Sequence, residues 1–396
     1  MPQASFDFDR LTDRRGSGSM KWDVPEGELP MWVADMDFET APEITEALVK
    51  RAAHGIYGYT TVPEAWREAV TGWWERRHGF RMEKEWLVFT TGVVPAISSA
   101  VRKLTTVGEN ILVQTPVYNI FFNSIRNNGR NVVENRLIYK GGKYQIDWDD
   151  LEEKLSDPQT TLMLLCNPHN PAGVVWTKEE LGRIGELCAE HHVRVLSDEI
   201  HCDLTEPGYD YVPFASVSET CEKISITCIA PTKTFNLAGL LTAAVMAPDE
   251  DLRHKMERAL NTDEVAEPNA FAIEAAVAAY TKGDAWLDAL RAYLAENRET
   301  VRAYLEAAVP EVSLVSAHGT YLLWLDCSRV IGDASELCRF LRKETGLYLS
   351  VGAVYGGNGR DFLRMNAACP RARLLDGLER FKKGIKAYEA YAAERC

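Results

Sequence analysis

The sequence predicts an α/β protein in which a mostly parallel sheet is wrapped by helices and followed by a smaller α+β unit. Two observations carry this expectation. Apolar runs of strand length alternate with segments whose apolar residues recur at helical spacing, and beyond residue 281 the texture changes to long amphipathic helices.

Residues 43–53 and 63–78 read as amphipathic helices, and 86–90 reads as a short buried strand. Alternation continues with a strand at 111–114, a helix at 120–127, a strand at 161–166, a helix at 178–191 and a strand at 193–196. In sheets with that order, ligands collect beyond the carboxyl ends of the strands. Further on, Leu287, Leu290, Leu294, Val301 and Leu305 form one apolar stripe, read as core rather than as a partner-binding face. Strand-like segments at 321–325 and 362–366 and a last helix at 374–391 complete the smaller unit. The expected division is 1–48 as an N-terminal arm and part of the small domain, 49–282 as the large domain, and 283–396 as the small domain.

Composition narrows the function classes. Of 396 residues, 46% are hydrophobic and 26% charged, the balance of an ordinary soluble globule. Charges break every apolar stretch well short of the roughly 20 residues a bilayer requires, and residues 1–15 are polar, so a cytoplasmic protein is expected. The nine cysteines are odd in number and lack Cys-x-x-Cys spacing, which reads as reduced, mostly buried thiols. A net charge of −14 disfavours nucleic acid and anionic membrane as partners. Any phosphate must therefore be held locally, and no metal-ligand cluster is expected.

Five strings place reactive side chains at strand ends. Thr91-Gly92-Val93-Val94-Pro95 stops a strand at glycine and opens a helix with proline in its first turn, an outline of a phosphate seat or a plain strand-to-helix turn. Asn167-Pro168-His169-Asn170-Pro171-Ala172-Gly173 is a rigid loop that can hold Asn170 as a donor to a ring hydroxyl. Asp198, in Ser197-Asp198-Glu199-Ile200-His201, can pair with a protonated pyridine nitrogen or cap the following segment; His201 can donate to the hydroxyl or serve packing. Tyr118 is either a stacking ring or a core tyrosine. Arg364, inside the apolar run 362–366, needs a carboxylate: that of an amino-acid substrate or that of a structural salt bridge. Lys233, in Ala230-Pro231-Thr232-Lys233-Thr234, is by itself either a solvated loop lysine or an amine that could condense with the aldehyde of pyridoxal 5′-phosphate, and the company of the other strings favours the second.

With those residues assembled, the chain resembles the fold-type-I pyridoxal-phosphate enzymes of the aspartate-aminotransferase superfamily over essentially its whole length. Within them it is most similar to the cystathionine β-lyase or C-S lyase branch of MalY/PatB type. The strings 13–22, Met31-Trp32-Val33-Ala34-Asp35-Met36-Asp37-Phe38, Asp198 to His201 and 364–371 carry that likeness. The resemblance implies a PLP-dependent transferase-like fold with a seven-stranded sheet in the large domain. It implies Lys233 as the covalent anchor and catalytic residue, with Gly92, Val93, Val94, Tyr118, Asn170, Asp198, Ile200, His201 and Thr232 around the cofactor. Arg364, Ala34, Asn170 and Tyr118 would bind the substrate. It also implies a homodimer in which Tyr59 reaches the neighbouring site.

The reaction so implied is α,β-elimination of L-cystathionine or related cysteine S-conjugates to a thiol, pyruvate and ammonia. A PLP-dependent aminotransferase is the alternative, and a PLP-binding regulatory protein acting through a partner is a second. Two departures stand out. Common aminotransferases place a phosphate-binding arginine where this chain has Leu241, and the segment 354–357 differs from the branch's usual wording.

Overall fold

The structure is a computed structural model that describes residues 6–394; residues 1–5 of the polar stretch, and Cys396 among the cysteines, lie outside the described residues. Every strand-length run read from the sequence forms a strand, its ends shifted by no more than one or two residues. The main sheet has seven strands, in the spatial order Leu87–Thr90, Ala243–Met246, Ser225–Ile229, Arg194–Asp198, Thr160–Cys166, Asn110–Thr115 and Asn131–Arg136. All neighbours pair in parallel except Ala243–Met246, which runs antiparallel to both of its neighbours.

Local chemistry explains these elements. Thr160–Cys166 and Arg194–Asp198 are buried almost throughout, as strands covered by helices on both faces must be. The helix Lys178–Glu190 starts at Thr177, whose hydroxyl accepts from the Glu180 amide while the Glu180 carboxylate accepts from the Thr177 amide. Gly79, at φ 62°, ends the helix Glu64–His78 in the left-handed region that its missing Cβ permits.

The helix Asp284–Ala308 buries its stripe in two cores. Trp286, Leu287 and Leu290 pack with the α-helical layer that includes Trp73, Trp74 and Tyr280. About three turns further along, Val301 and Leu305 pack with Leu323, Leu363, Leu378 and Phe381 in the C-terminal unit. That unit carries a four-stranded sheet in which Leu322–Asp326 pairs antiparallel with Phe362–Asn366. The N-terminal segment contributes to both cores: Phe8, Phe38 and Ile44 to the first, Trp22, Leu29 and Met31 to the second. Residues Leu29–Pro30 also pair in parallel with Leu347–Tyr348. In consequence the segment between them, residues 32–37, is drawn across the carboxyl edge of the large sheet.

Candidate active site

Five parallel strands deliver the reactive side chains to that edge. Gly92 follows Thr90, Tyr118 follows Thr115, Asn170 follows Cys166, Asp198 ends its own strand, and Lys233 lies on the short helix Pro231–Thr234 after Ile229. They surround a cavity of about 360 Å³ lined by Ala34, Gly92, Val93, Val94, Tyr118, Asn170, Asp198, Ile200, His201, Thr232 and Lys233, with Leu241 at its rim. Arg364 stands behind Asn170, its Nη1 donating to Asn170 Oδ1 at 3.1 Å. Tyr59 is elsewhere. It is fully exposed and does not line the cavity.

Burial sets the charges here. The Lys233 amine donates to the Ala34 carbonyl at 2.7 Å. Burial pulls its pKa down to about 8, opposed by Asp35 and Asp198 and assisted by Arg364. Asp198 accepts one backbone hydrogen bond, from Ile200 N at 3.2 Å. Burial, with Glu199 beside it, pushes its carboxyl up to about 7 against the pull of Lys233. Burial also lowers His201 to about 3, with Lys233 and Arg364 adding, so its imidazole is neutral. Its Nδ1 is buried with no partner among the described residues. Burial raises the Tyr118 phenol to about 12, so it stays protonated.

These are the properties of a seat for a ring carrying an N–H and a hydroxyl. Asp198 is a buried carboxyl in want of a cation, and His201 Nδ1 is an orphaned buried atom a polar group would satisfy. At the far wall the helix Val93–Leu104 has no side-chain cap, and Pro95 brings no amide, which leaves the Val93 and Val94 amides for an anion. A Cβ on Gly92 would stand 3.2 Å from Pro95 Cδ, tightening this turn. The residues present fit pyridoxal 5′-phosphate. Arg364 Nη2 donates to Trp32 O at 3.0 Å, and its guanidinium lies over the Tyr355 ring at 4.9 Å. Its buried Nε has no partner, and no carboxylate among the described residues pairs with it. The structural salt bridge is thereby weakened as its explanation.

Residues 29–381 match the family described as aminotransferase class I and II. The chain belongs to this family. It is 45% identical to cystathionine beta-lyase PatB of Bacillus subtilis, over 96% of this chain and all of that protein. To Protein MalY of Escherichia coli it is 33% identical, over 96% of this chain and 99% of that one. Among solved structures, cystalysin from Treponema denticola, which contains a pyridoxal 5′-phosphate cofactor, superposes with a TM-score of 0.94 at 32% identity, over 97% of this chain and 99% of its own.

Several residues of this aminotransferase-family site escape the sequence reading. Tyr321 donates to the Ala34 carbonyl at 3.0 Å, the same oxygen that holds Lys233, and so fixes the strap above the lysine. Asp35 is the strongest influence keeping Lys233 protonated, and the string 31–38 that carried the resemblance was the signal available for it. Thr91 and Cys166 also line the cavity. No metal ligands were expected, but the structure brings donor atoms of His78, Cys202 and Asp203 within 4.8 Å of one another. Asp203 has both oxygens engaged there, Oδ1 by Trp73 and His78 and Oδ2 by Thr234.

Proposed function

We propose that this chain is a pyridoxal-phosphate-dependent carbon-sulfur β-lyase that cleaves L-cystathionine or related cysteine S-conjugates to a thiol, pyruvate and ammonia. The observation that carries the reading is the lysine–aspartate pair: a buried amine near pKa 8 and a buried carboxyl near 7 line one cavity, with an arginine that has no carboxylate partner among the described residues standing behind Asn170. The likeness to PatB, named a cystathionine beta-lyase, selects elimination among the reactions such a site supports.

When bound, pyridoxal 5′-phosphate supplies an aldehyde for the lysine and a ring that withdraws electrons from the substrate's α-carbon. The chain's own residues do the rest. Val93, Val94 and Thr232 would hold the phosphate, Asp198 the ring N–H, Asn170 and His201 the ring hydroxyl, and Tyr118 one ring face. Ile200 N, donating to Asp198 Oδ1, orients that carboxylate. Arg364 would grip the α-carboxylate with its planar fork, beside Asn170 and the Ala34 strap. Lys233 Nζ then takes the α-proton, a task suited to an amine whose pKa lies near the working pH. Loss of a thiolate from the β-carbon follows.

The same reading makes the working unit a homodimer. The segment around Tyr59 supports this: Ile56, Tyr57 and Tyr59 are all exposed, as is Leu241 at the cavity rim, a set of apolar surfaces that a second copy would cover. Tyr59 would then reach the neighbour's phosphate and make up for the arginine replaced by Leu241. The same reading divides the chain into 1–48 as an N-terminal arm and part of the small domain, 49–282 as the cofactor domain and 283–396 as the small domain, and expects a cytoplasmic protein. Among the described residues no helix is long and apolar enough to cross a membrane.

The test is product analysis. With cystathionine, the purified protein should release pyruvate and free thiol in equal amounts without added keto acid. A keto-acid requirement, with aminated cofactor accumulating, would assign the chain to transamination instead.

A further inference from the structure

Outside the catalytic cavity, a second cleft of about 610 Å³ opens between the end of the helix Glu64–His78, the segment 202–213 and the start of the helix Asp284–Ala308. Its volume lies in the range typical of small-molecule sites. Charges of both signs line it, and most are already committed. Arg76 pairs with Asp284 at 3.1 Å, and Arg77 with Asp288 at 2.6 Å. Asp203 is saturated by Trp73, His78 and Thr234.

Two are not committed. Arg291 donates through Nε and Nη2 to Thr205 O, Thr205 Oγ1 and Glu206 O, which fixes the guanidinium plane, but among the described residues its Nη1 has no hydrogen-bond partner and no carboxylate pairs with it. Burial and the neighbouring Arg77 both lower its proton affinity, against the pull of Asp288, Asp203 and Asp210. Asp210, exposed in the lining of the same cleft, has neither an ion pair nor a hydrogen bond among the described residues. One held cation and one anion therefore line a common space with no ion pair between them among the described residues, although the anion's charge already bears on the cation. A solute that satisfies both carries a carboxylate for the one and an ammonium for the other. Tyr209, Tyr211 and Pro213 supply apolar wall beside them.

We propose that this cleft is a second, non-catalytic binding site for a zwitterionic α-amino acid, with Arg291 holding the carboxylate and Asp210 the ammonium. Neither residue touches the catalytic cavity, so the site is independent of the lyase reading.

Equilibrium dialysis on purified protein, first reduced with borohydride so that no amine can form an imine, tests this. L-Leucine should bind saturably. Leucine lacking its amine (4-methylpentanoate) and leucine lacking its carboxylate (3-methylbutylamine) should each bind at least about tenfold more weakly, about 1.4 kcal/mol. Arg291→Leu and Asp210→Asn should each weaken leucine by a similar factor. Because Arg291 also anchors Thr205, its variant could misfold; Asp210 anchors nothing among the described residues, so its variant is the deciding one. Equal affinity for the three ligands, unchanged affinity in Asp210→Asn, tighter binding of inorganic phosphate than of leucine, or no saturation by about 10 mM would each overturn the proposal.

Discussion

Asp198 and Asp37 are both buried carboxylates, and the protein treats them in opposite ways. Asp37 is met by Arg14 at 2.8 Å, Trp22 Nε1 at 2.9 Å, Arg373 at 3.1 Å and Lys21 at 3.2 Å. Burial pushes its carboxyl up, but Lys21, Trp22, Arg373 and Arg14 more than offset that and hold it below the usual carboxylate range. Asp198 receives a single amide and rises to about 7. The first is a fastener that ties the N-terminal segment to the C-terminal helix. The second carries an electrostatic cost that only a ligand relieves, the pattern expected where function is set against stability.

The sharpest break in that contrast comes from Lys233→Ala. Removing the amine should lower elimination by about 10²–10⁴-fold, the range for a general base, while leaving stability unchanged or improved, since a buried amine is lost. Borohydride should no longer fix a chromophore to the protein. A variant that retained full turnover would remove Lys233 from the mechanism.

At the fastener the effect should appear in stability. Asp37→Asn leaves Lys21 and two arginines facing a neutral amide, and breaking a buried pair costs about 3–5 kcal/mol. Because the folded pKa of Asp37 lies below its ordinary 3.8, its stabilisation is present above that value and fades as pH falls through the lower one. Urea unfolding of both proteins should therefore differ most near neutrality and converge in strong acid.

Asp198→Asn should do the reverse. In the cofactor-free protein the folded carboxyl keeps its proton up to about pH 7, whereas the unfolded one loses it near 3.8. The folded state thus binds the extra proton in that window, and wild-type stability falls as pH rises through it. The asparagine variant escapes this loss, so it should be the more stable by about 2–4 kcal/mol above pH 7, from a shift of about three units, and by little near pH 4. Elimination should drop sharply. Equal denaturation curves at pH 8 would mean that Asp198 is not strained.

This contrast also marks what the sequence could reveal. Strand-end residues such as Asp198, Asn170 and Gly92 were legible because each follows an apolar run by local spacing, and chemistry then limits what they can hold. Three strands of the main sheet, Asn131–Arg136, Ser225–Ile229 and Ala243–Met246, lie outside that reading, the first because it is an edge strand with polar positions. The Asp37 fastener and the Tyr321 grip on Ala34 join residues remote in sequence, which no periodicity reports. For Arg364 the sequence left two readings, and the coordinates weaken the structural one by offering no carboxylate partner among the described residues.

Arg364→Lys gives the smallest effect and the finest discrimination. Arg364 is a buried cation like Lys21, but its partners are the neutral Asn170 Oδ1 and Trp32 O. A lysine keeps the positive charge and loses the fork, so one of two parallel hydrogen bonds to a substrate carboxylate disappears. KM should rise by about tenfold, about 1.4 kcal/mol, with a smaller change in kcat, because the grip is made alike in ground and transition states. A structural cation would behave as Asp37 does: the melting temperature would fall by several degrees and KM would stay put. The two outcomes separate on the same pair of measurements, since a substrate clamp and a fold fastener place their free energy in different equilibria.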